Sequence, residues 1–310
     1  MIPTVPGTSS AYRLEPGAPP VEVIGVIRGR ALSAISQLRE ANPEGQGEAV
    51  HEARKDAKKI RAALRLIRGE LGEDRFRSEN RRFRDGARLL AGMRDTEVMA
   101  ETVGAMIKRH PETAAQLTPV NRELRARAEQ LKQGSGRGDA RARLNMAADA
   151  FDGGVAVVSA WQLDDHGWDS YGPGLRRTYR DGRRGLRAIE RRLRSGPVQE
   201  AAGEVHEWRK RVKDLWYQLR LLRDGWKIGL AGLVDETDRL ADLLGDFNDL
   251  AVLEREMQRS RLTAAQAAQL DRLIAAGESE LLDSAVPLGR LIYAEKPSRF
   301  SDRIGSYWEA

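Results

Sequence analysis

The sequence predicts an all-α protein made of two similar halves. Ala, Leu, Arg, Glu and Gln dominate the composition and runs of β-branched residues are scarce, which favours helices over strands. Apolar residues recur at intervals of three and four along most of the chain, the period of an amphipathic helix. A nineteen-residue segment starting at Val50 is repeated from Val205 with ten identities. This duplication indicates two comparable helical bundles that pack as pseudo-twofold partners.

The first twenty residues come before any helical pattern. They contain no apolar core segment and five prolines, at Pro3, Pro6, Pro16, Pro19 and Pro20. This composition predicts a flexible tail over residues 1–20 rather than a signal peptide. The two helical halves are then expected at residues 21–165 and 166–310.

The helices follow in order from the apolar spacing. In the first half they are predicted near residues 21–41, 47–70, 74–92, 95–109, 112–133 and 140–162. In the second half they are predicted near residues 174–194, 199–225, 229–246, 249–259 and 263–284. The Gly-rich stretch at 133–139 predicts a flexible connection inside the first half, and the turn residues at 164–174 fit the link between the halves.

Composition limits the classes of function. The chain has no cysteine, which excludes disulfides and thiolate chemistry and is compatible with a reducing compartment, so a cytoplasmic location is expected. No run of about 18 apolar residues occurs, so no membrane span or membrane partner is predicted.

Positive charge is concentrated in the repeated segments. The whole chain has 52 basic and 46 acidic residues, a net charge of +6. Residues 51–68 hold seven Lys or Arg against two acids, and residues 206–223 hold six against two, so the two segments carry +5 and +4 and the remaining chain −3. This distribution indicates a localised anion site rather than a generally basic surface.

At about 100° per residue, the basic residues of each repeat fall on one face of a helix, opposite an apolar face. The first stripe consists of His51, Arg54, Lys55, Lys58 and Arg65. The second stripe consists of His206, Arg209, Lys210, Lys213 and Arg220, and the helical period places Tyr217 on the same face.

A basic stripe can simply be the solvated face of an amphipathic helix. These two stripes, however, are nearly free of acidic residues, and like charges three or four residues apart destabilise a helix by about 0.2 to 0.5 kcal/mol per pair. The repetition of an unfavourable pattern suggests that an anion normally neutralises it.

The stripes do not predict a metal site. "HEARK" and "HEWRK" begin like the zinc motif HExxH, but Lys55 and Lys210 stand where the second histidine would be required. Glu52 and Glu207 are interpreted as helix-dipole or salt-bridge partners rather than general bases.

The histidines divide into two groups. His51 and His206 each begin a stripe, and the surrounding cations are expected to lower their pKa, which leaves neutral imidazoles able to donate one hydrogen bond to a phosphoryl oxygen. His110 and His166 are interpreted as ordinary core or surface residues.

The duplicated helix resembles the hallmark of the CHAD domain family, in which a histidine is followed after three residues by a Lys-rich stripe and then by Leu-Arg-Leu. The resemblance rests on "HEARKDAKKIRAALRLIR" and "HEWRKRVKDLWYQLRLLR", supported by "RDTEV", "LLGDFNDLAVL" and "YAEKPSRFSDRI". It covers the chain from about residue 21 to the end. It implies two four-helix bundles around a basic channel that binds inorganic polyphosphate, with targeting to polyphosphate granules in some members.

Carried over to this sequence, the resemblance places both stripes at the channel. Arg30 and Arg184 on the preceding helices, and Arg84 and Arg88 on the following one, receive weaker support. In the second half, Asp238 and Asp242 stand where the first half has Arg84 and Arg88, so an asymmetric contribution of these helices is expected.

The leading hypothesis is therefore a noncatalytic polyphosphate-binding protein without a cofactor. The sequence has no P-loop, no ExExK strand motif of triphosphate tunnel domains, no paired-carboxylate metal site and no nucleophile with a base, which argues against a hydrolase or kinase. Binding of a nucleic-acid backbone is the alternative, although aromatic residues make up only 5% of the chain and base stacking is correspondingly disfavoured. An accessory enzyme of polyphosphate metabolism is the third hypothesis. The sequence makes no prediction of oligomeric state.

Overall fold

The computed structural model describes residues 11–133, 137–257 and 263–310, and within these ranges it is helical with no β-strand. The predicted all-α class is confirmed. The long helices are α1 (Val21–Glu40), α2 (Gln46–Leu66), α3 (Arg68–Leu89), α4 (Asp95–Arg109), α5 (Ala114–Gln133), α6 (Arg137–Ser159), α7 (Gly172–Ser195), α8 (Ala202–Leu222), α9 (Lys227–Met257), α10 (Ala264–Ile292) and α11 (Pro297–Trp308). The core of the predicted connection at 133–139 lies outside the described residues.

In the second half, two predicted helix ends are wrong and one helix was not predicted. The interruption expected between residues 246 and 249 is absent, because buried Leu244, Phe247 and Leu250 keep the helical spacing through it. Helix α10 continues past residue 284 because buried apolar residues recur up to Ile292. Helix α11 was not predicted at all, although it begins at Pro297, a favoured first position of a helix.

Each half contributes a set of mutually packed helices. In the first half, α1 packs on α2 and α6, and α3 packs on α2 and α6. In the second half, α8 packs on α7 and α9, α9 packs on α10, and α11 packs on α7. The pseudo-twofold relation between these sets and a channel between them stay predictions.

The two halves share their hydrophobic cores. One hydrophobic core contains buried residues of both halves, from Leu14 to Trp308. A second, smaller core joins α4 and α5 of the first half to α9 and α10 of the second, with Val103 and Leu117 on one side and Leu253 and Ile274 on the other. The boundary near residue 165 therefore divides the repeat in sequence, but apolar packing crosses it.

The prediction of a flexible tail over residues 1–20 is wrong for residues 11–20. Residues 1–10 lie outside the described ranges, but Leu14 is buried and its N–H donates to the carbonyl of Leu221 at 3.0 Å. The Tyr12 hydroxyl donates to the carbonyl of Lys59 at 3.0 Å, and the Tyr12 ring packs edge-on against Tyr217. Residues 11–20 are thus part of the folded protein, because Tyr12 contacts both α2 and α8 and Leu14 is buried and bonded to α8.

Small residues allow the closest helix contacts. The fully buried Trp208 of α8 packs over the backbone of Gly185 on α7 and of Gly289 on α10, where an added Cβ would lie 2.6 Å and 2.7 Å from the indole. Gly174 in the first turn of α7 meets the carbonyl of Leu66 at the end of α2, and any Cβ there would clash with this backbone. No helix in the described part of the chain is both long enough and apolar enough to cross a membrane.

Candidate polyanion site

Helices α2 and α8 present the two stripes because their apolar faces are fully used by the core. On α2 the buried residues include Val50, Ala53, Ala57, Ile60 and Leu64. On α8 they include Val205, Trp208, Val212, Leu215 and Leu219. The predicted core faces are confirmed, and the basic side chains consequently point away from the core. Tyr217 is the exception, since it is buried against Tyr12 rather than placed on the basic face.

Helix α2 packs directly on α8. The side-chain amide of Gln218 donates to the carbonyl of Ala62 at 3.2 Å, and Arg65 Nε lies 3.3 Å from Asp214 Oδ2. These contacts bring one stripe from each repeat together.

Lys58 of the first stripe lies among cations of both stripes. Its side chain keeps contact with solvent, but the surrounding protein removes much of the stabilisation by bulk water, and this desolvation is the main reason why its pKa falls from 10.5 to about 8. Repulsion contributes further, from Arg209, Arg54 and Lys213 in decreasing order. We call Arg54, Lys58, Arg209 and Lys213 the central cluster.

Three members of the central cluster have no carboxylate at ion-pair distance in the described parts of the chain, although Asp249 of α9 attracts both Lys58 and Arg209. Arg54, Lys58 and Arg209 form no hydrogen bond or ion pair with any residue that the structure describes. The Nε atom of Arg209 is buried without a hydrogen-bond acceptor, and its guanidinium passes over Gly245 of α9, about van der Waals distance from where a Cβ would be. Such an arrangement of neighbouring like charges is unfavourable without an anion.

Lys213 differs from the rest of the cluster because it is paired. Its Nζ atom lies 3.2 Å from Asp242 Oδ1 and 3.4 Å from Asp238 Oδ1, both on α9. It also lies 4.4 Å from the centre of the Trp216 ring. Trp216 itself is buried and packs against Tyr217 with the two rings tilted, so it supports the stripe rather than offering a surface for bases.

The outer part of each stripe is paired within its own helix. Lys55 Nζ lies 3.0 Å from Glu52 Oε1, and Lys210 forms the equivalent contact with Glu207. The pKa of Glu207 is lowered mainly by this hydrogen bond. Glu52 and Glu207 thus act as salt-bridge partners, as the sequence suggested.

The two stripe histidines are held in opposite tautomers. Arg94 Nη1 donates to His51 Nδ1 at 2.9 Å, so the hydrogen of the neutral ring is on Nε2. His206 Nδ1 lies 2.8 Å from Asn248 Oδ1, which can only accept, so His206 carries its hydrogen on Nδ1. The pKa of His51 is lowered as predicted, but burial is the largest cause and Arg94 the second, ahead of the stripe cations.

A further group of arginines lies at the other end of the helix pair. Burial, followed by repulsion from Arg65, lowers the pKa of Arg61 to about 10, and Arg84 and Arg211 add to this repulsion. Arg61 Nε donates to Asn80 at 3.1 Å. In the second half, the guanidinium carbon of Arg220 lies 4.9 Å from the Trp216 ring.

The arginines with weaker support have mixed surroundings. Arg30 is half-buried beside Asp56, at 3.7 Å, whereas Arg184 is largely exposed and 3.7 Å from Asp181. Arg84 and Arg88 both contact Asp85, at 2.8 Å and 3.4 Å. Arg84, Arg88 and Arg184 form no hydrogen bond or ion pair with the central cluster within the described ranges.

Several site residues were missed by sequence reasoning, although the repeat contained a signal for some of them. Arg94 and Asn248, the partners of the two histidines, are separated by 154 residues, the offset at which Asp95 matches Asp249. Arg61 and Arg211 lie off the main face and gave no such signal. No group of three or more His, Asp or Glu residues is arranged to hold a metal ion in the described parts of the chain.

Comparisons with known proteins agree with this architecture. The family model described as "CHAD domain" matches residues 29–258. Among solved structures, the CHAD domain from the plant Ricinus communis has a TM-score of 0.53 and 17% sequence identity, over 94% of this chain and 97% of that chain. At this identity the likeness concerns the fold. No curated protein matches the sequence.

Proposed function

We propose that this chain, which belongs to the CHAD domain family, binds inorganic polyphosphate without changing it chemically. The observation that carries the proposal is the central cluster: α2 and α8 pack on each other, and Lys58 of the first repeat lies close enough to Arg209 and Lys213 of the second to be repelled by them. A binding site formed by both repeats explains why the basic helix occurs twice. If each stripe were only a solvated helix face, the duplication would need no such site.

The charge balance of the cluster supports a polyanion as the ligand. Arg54 and Arg209 repel Lys58, and none of the three has a carboxylate in ion-pair contact among the described residues. Phosphoryl oxygens would supply the missing acceptors, and guanidinium groups bind them through paired hydrogen bonds. Binding would therefore replace repulsion by charge-assisted hydrogen bonds.

The flanking histidines would extend the site along the polymer. His51 is held with its hydrogen on Nε2, so the neutral ring can donate to a phosphoryl oxygen. His206 carries its hydrogen on Nδ1 toward Asn248, so its Nε2 can donate only when the ring is protonated. The proposed contacts of the remaining stripe residues are those that the family resemblance implies, and association with polyphosphate granules would follow from the same binding.

A competition experiment separates polyphosphate from nucleic acid as the ligand. Labelled long-chain polyphosphate is bound at physiological salt and displaced by unlabelled polyphosphate, single-stranded RNA or duplex DNA at equal phosphate concentration. We expect polyphosphate to compete best, and the recovered polymer to keep its length on a gel. Equal displacement by RNA would overturn the choice of ligand, and shortening of the polymer would overturn the noncatalytic role.

Matched variants test whether the central cluster is responsible. Lys58→Gln combined with Arg209→Gln removes two positive charges, one from each repeat. Lys227→Gln combined with Arg299→Gln removes the same charge from exposed positions elsewhere. We expect the first variant to lose affinity by about tenfold or more, as for charged hydrogen-bonded contacts, and the second to change it much less. Equal losses would mean that net charge alone attracts the polymer.

A further inference from the structure

Helix α9 presents a row of carboxylates toward the second stripe. The row consists of Asp238, Asp242, Asp246 and Asp249, spaced by four, four and three residues. Its first two members contact Lys213 at 3.4 Å and 3.2 Å. The last two are under the attractive influence of Arg209, while burial and mutual repulsion raise the pKa of Asp246. We call these four residues the α9 acidic row.

The first half has no equivalent row. The positions of Asp238 and Asp242 correspond to Arg84 and Arg88 on α3 at an offset of 154, and the contacts of these arginines are with Asp85 of their own helix. Lys58, the counterpart of Lys213, has no carboxylate at ion-pair distance among the residues that the structure describes. The two stripes are therefore alike in sequence, but only Lys213 of the second stripe is paired with carboxylates of the following helix.

We infer that Asp238 and Asp242 compete with the anion for Lys213 and thereby make the site selective for anions of high charge density. This inference rests on the proposed function, since it concerns the same site. An incoming anion must displace the two carboxylates from Lys213 and contact the ammonium with its own oxygens. The displaced carboxylates stay nearby and repel the bound anion. Only a ligand that offers several closely spaced charges gains enough from the rest of the central cluster to offset that repulsion.

Charge spacing distinguishes the two candidate polymers. In polyphosphate, one oxygen bridges consecutive phosphorus atoms, whereas in nucleic acids a sugar separates consecutive phosphates. A polyphosphate chain can therefore place several charges against Arg54, Lys58 and Arg209 while it displaces the α9 carboxylates, and a nucleic-acid strand places fewer in the same length. The acidic row would lower the affinity for both polymers, but more strongly for the nucleic acid.

The test uses Asp238→Asn together with Asp242→Asn in the full chain. We expect polyphosphate to bind about three- to tenfold more tightly, the range for two partly exposed ion pairs. The affinity for single-stranded RNA should increase by a larger factor, so the ratio of the two affinities should decrease. The control, Glu236→Gln with Asp283→Asn, removes two negative charges at exposed positions away from Lys213 and should leave the preference unchanged. Circular dichroism verifies that both variants remain helical.

A third variant assigns the effect to Lys213. When Lys213→Gln is added to the two asparagine substitutions, the increase in affinity should fall to that of the control variant. The reason is that the lysine with which Asp238 and Asp242 were paired is no longer present. Unchanged or weaker polyphosphate binding by the asparagine variant, or an equal gain for RNA and polyphosphate, would overturn the inference while the proposed function stands. Absence of polyphosphate binding by the parent protein would instead overturn the proposed function, and the inference with it.

Discussion

Lys58 and Lys213 occupy the same position in the two repeats, yet their surroundings are opposite. Lys58 lies among cations, and desolvation followed by repulsion from Arg209 lowers its pKa to about 8. Lys213 is paired with two aspartates of α9. The same residue type thus has a lowered pKa in one repeat and two ion pairs in the other.

This difference predicts a pH dependence of polyphosphate binding that belongs to Lys58. A bound polyanion stabilises the ammonium form, so the complex takes up a proton when the free protein has lost it, and affinity should fall as the pH rises from about 7 to about 9. Titrations of binding at three pH values in this range measure the slope. In the variant Lys58→Arg the side chain stays charged throughout, and the fall should become shallower.

The comparison of the parent with the Lys58→Arg variant tests whether Lys58 causes the pH dependence. Parallel pH profiles for the parent and the Lys58→Arg variant would show that another group controls the dependence. A lower affinity of the variant at all pH values, without a change in slope, would reflect altered geometry alone.

The identities of the stripe residues could be predicted from the sequence, but their pairing could not. Spacing alone places a basic side chain on a helix face, and the apolar faces of α2 and α8 were predicted correctly for this reason. Whether a cation meets a carboxylate depends on the neighbouring helix, as Lys213 and Asp242 illustrate. Tyr217 was placed on the basic face by the helical period, but Tyr12 from the supposed tail covers it.

At the scale of helices, apolar periodicity predicted the position of a helix correctly where the helix buries one face. It failed where the residue types suggested a break in the helix. Helix α9 continues through the predicted gap because Phe247 fills the core there. Close contacts such as Trp208 against Gly185 and Gly289 join residues that are far apart in sequence. No local pattern marks these glycines as contact points, so the order of helix packing could not be predicted.

The contact between α9 and α10 contains an unpaired buried acid. Glu278 on α10 is fully buried and neither carboxylate oxygen has a hydrogen-bond partner among the described residues. Burial, with a further contribution from Glu254 on α9, raises the pKa of Glu278 from 4.5 to about 7. Between these pH values the folded protein retains a proton that the unfolded chain has lost, so stability falls as the pH rises through this window.

Glu278→Gln should therefore stabilise the protein in a pH-dependent way. At about pH 8 we expect the free energy of unfolding to increase by about 1 to 3 kcal/mol, because an uncompensated buried charge is removed. At about pH 5 the parent carboxyl is largely protonated and the two proteins should have similar stability. Chemical denaturation at both pH values measures the difference, with the exposed Asp271→Asn as control. An equal effect at both pH values would exclude ionisation of Glu278 as its cause.

For the whole molecule, the duplication in sequence is not a division into two separate bodies. The main core includes residues of both halves, and the α4–α5 pair of the first half completes a second core with α9 and α10. The sequence repeat predicts two comparable helical sets, which stays a prediction, but it could not predict this exchange of packing surface. Joining the halves through apolar cores fixes the relative position of α2 and α8, and with it the two stripes.

A rigid pair of stripes predicts that chain length controls affinity. A long polyphosphate can touch both stripes at once, and the second contact then forms as an intramolecular event with a high effective concentration. Neutralising either stripe, with Lys55→Gln and Lys58→Gln or with Lys210→Gln and Lys213→Gln, should weaken long-chain binding by about tenfold or more. Orthophosphate and very short chains gain nothing from linkage and should bind poorly to the parent and to both variants.

Isothermal titration with chains of defined length measures this effect, and thermal unfolding checks that the variants remain folded, since all four lysines point away from the core. The unequal surroundings of the two stripes also predict which variant loses more affinity. Lys213 is already neutralised by Asp238 and Asp242, whereas Lys58 is not, so the first-stripe variant should lose more affinity for long chains than the second. If one variant abolished long-chain binding and the other left it unchanged, the two stripes would not act as one site, and the second copy of the helix would have a structural role only.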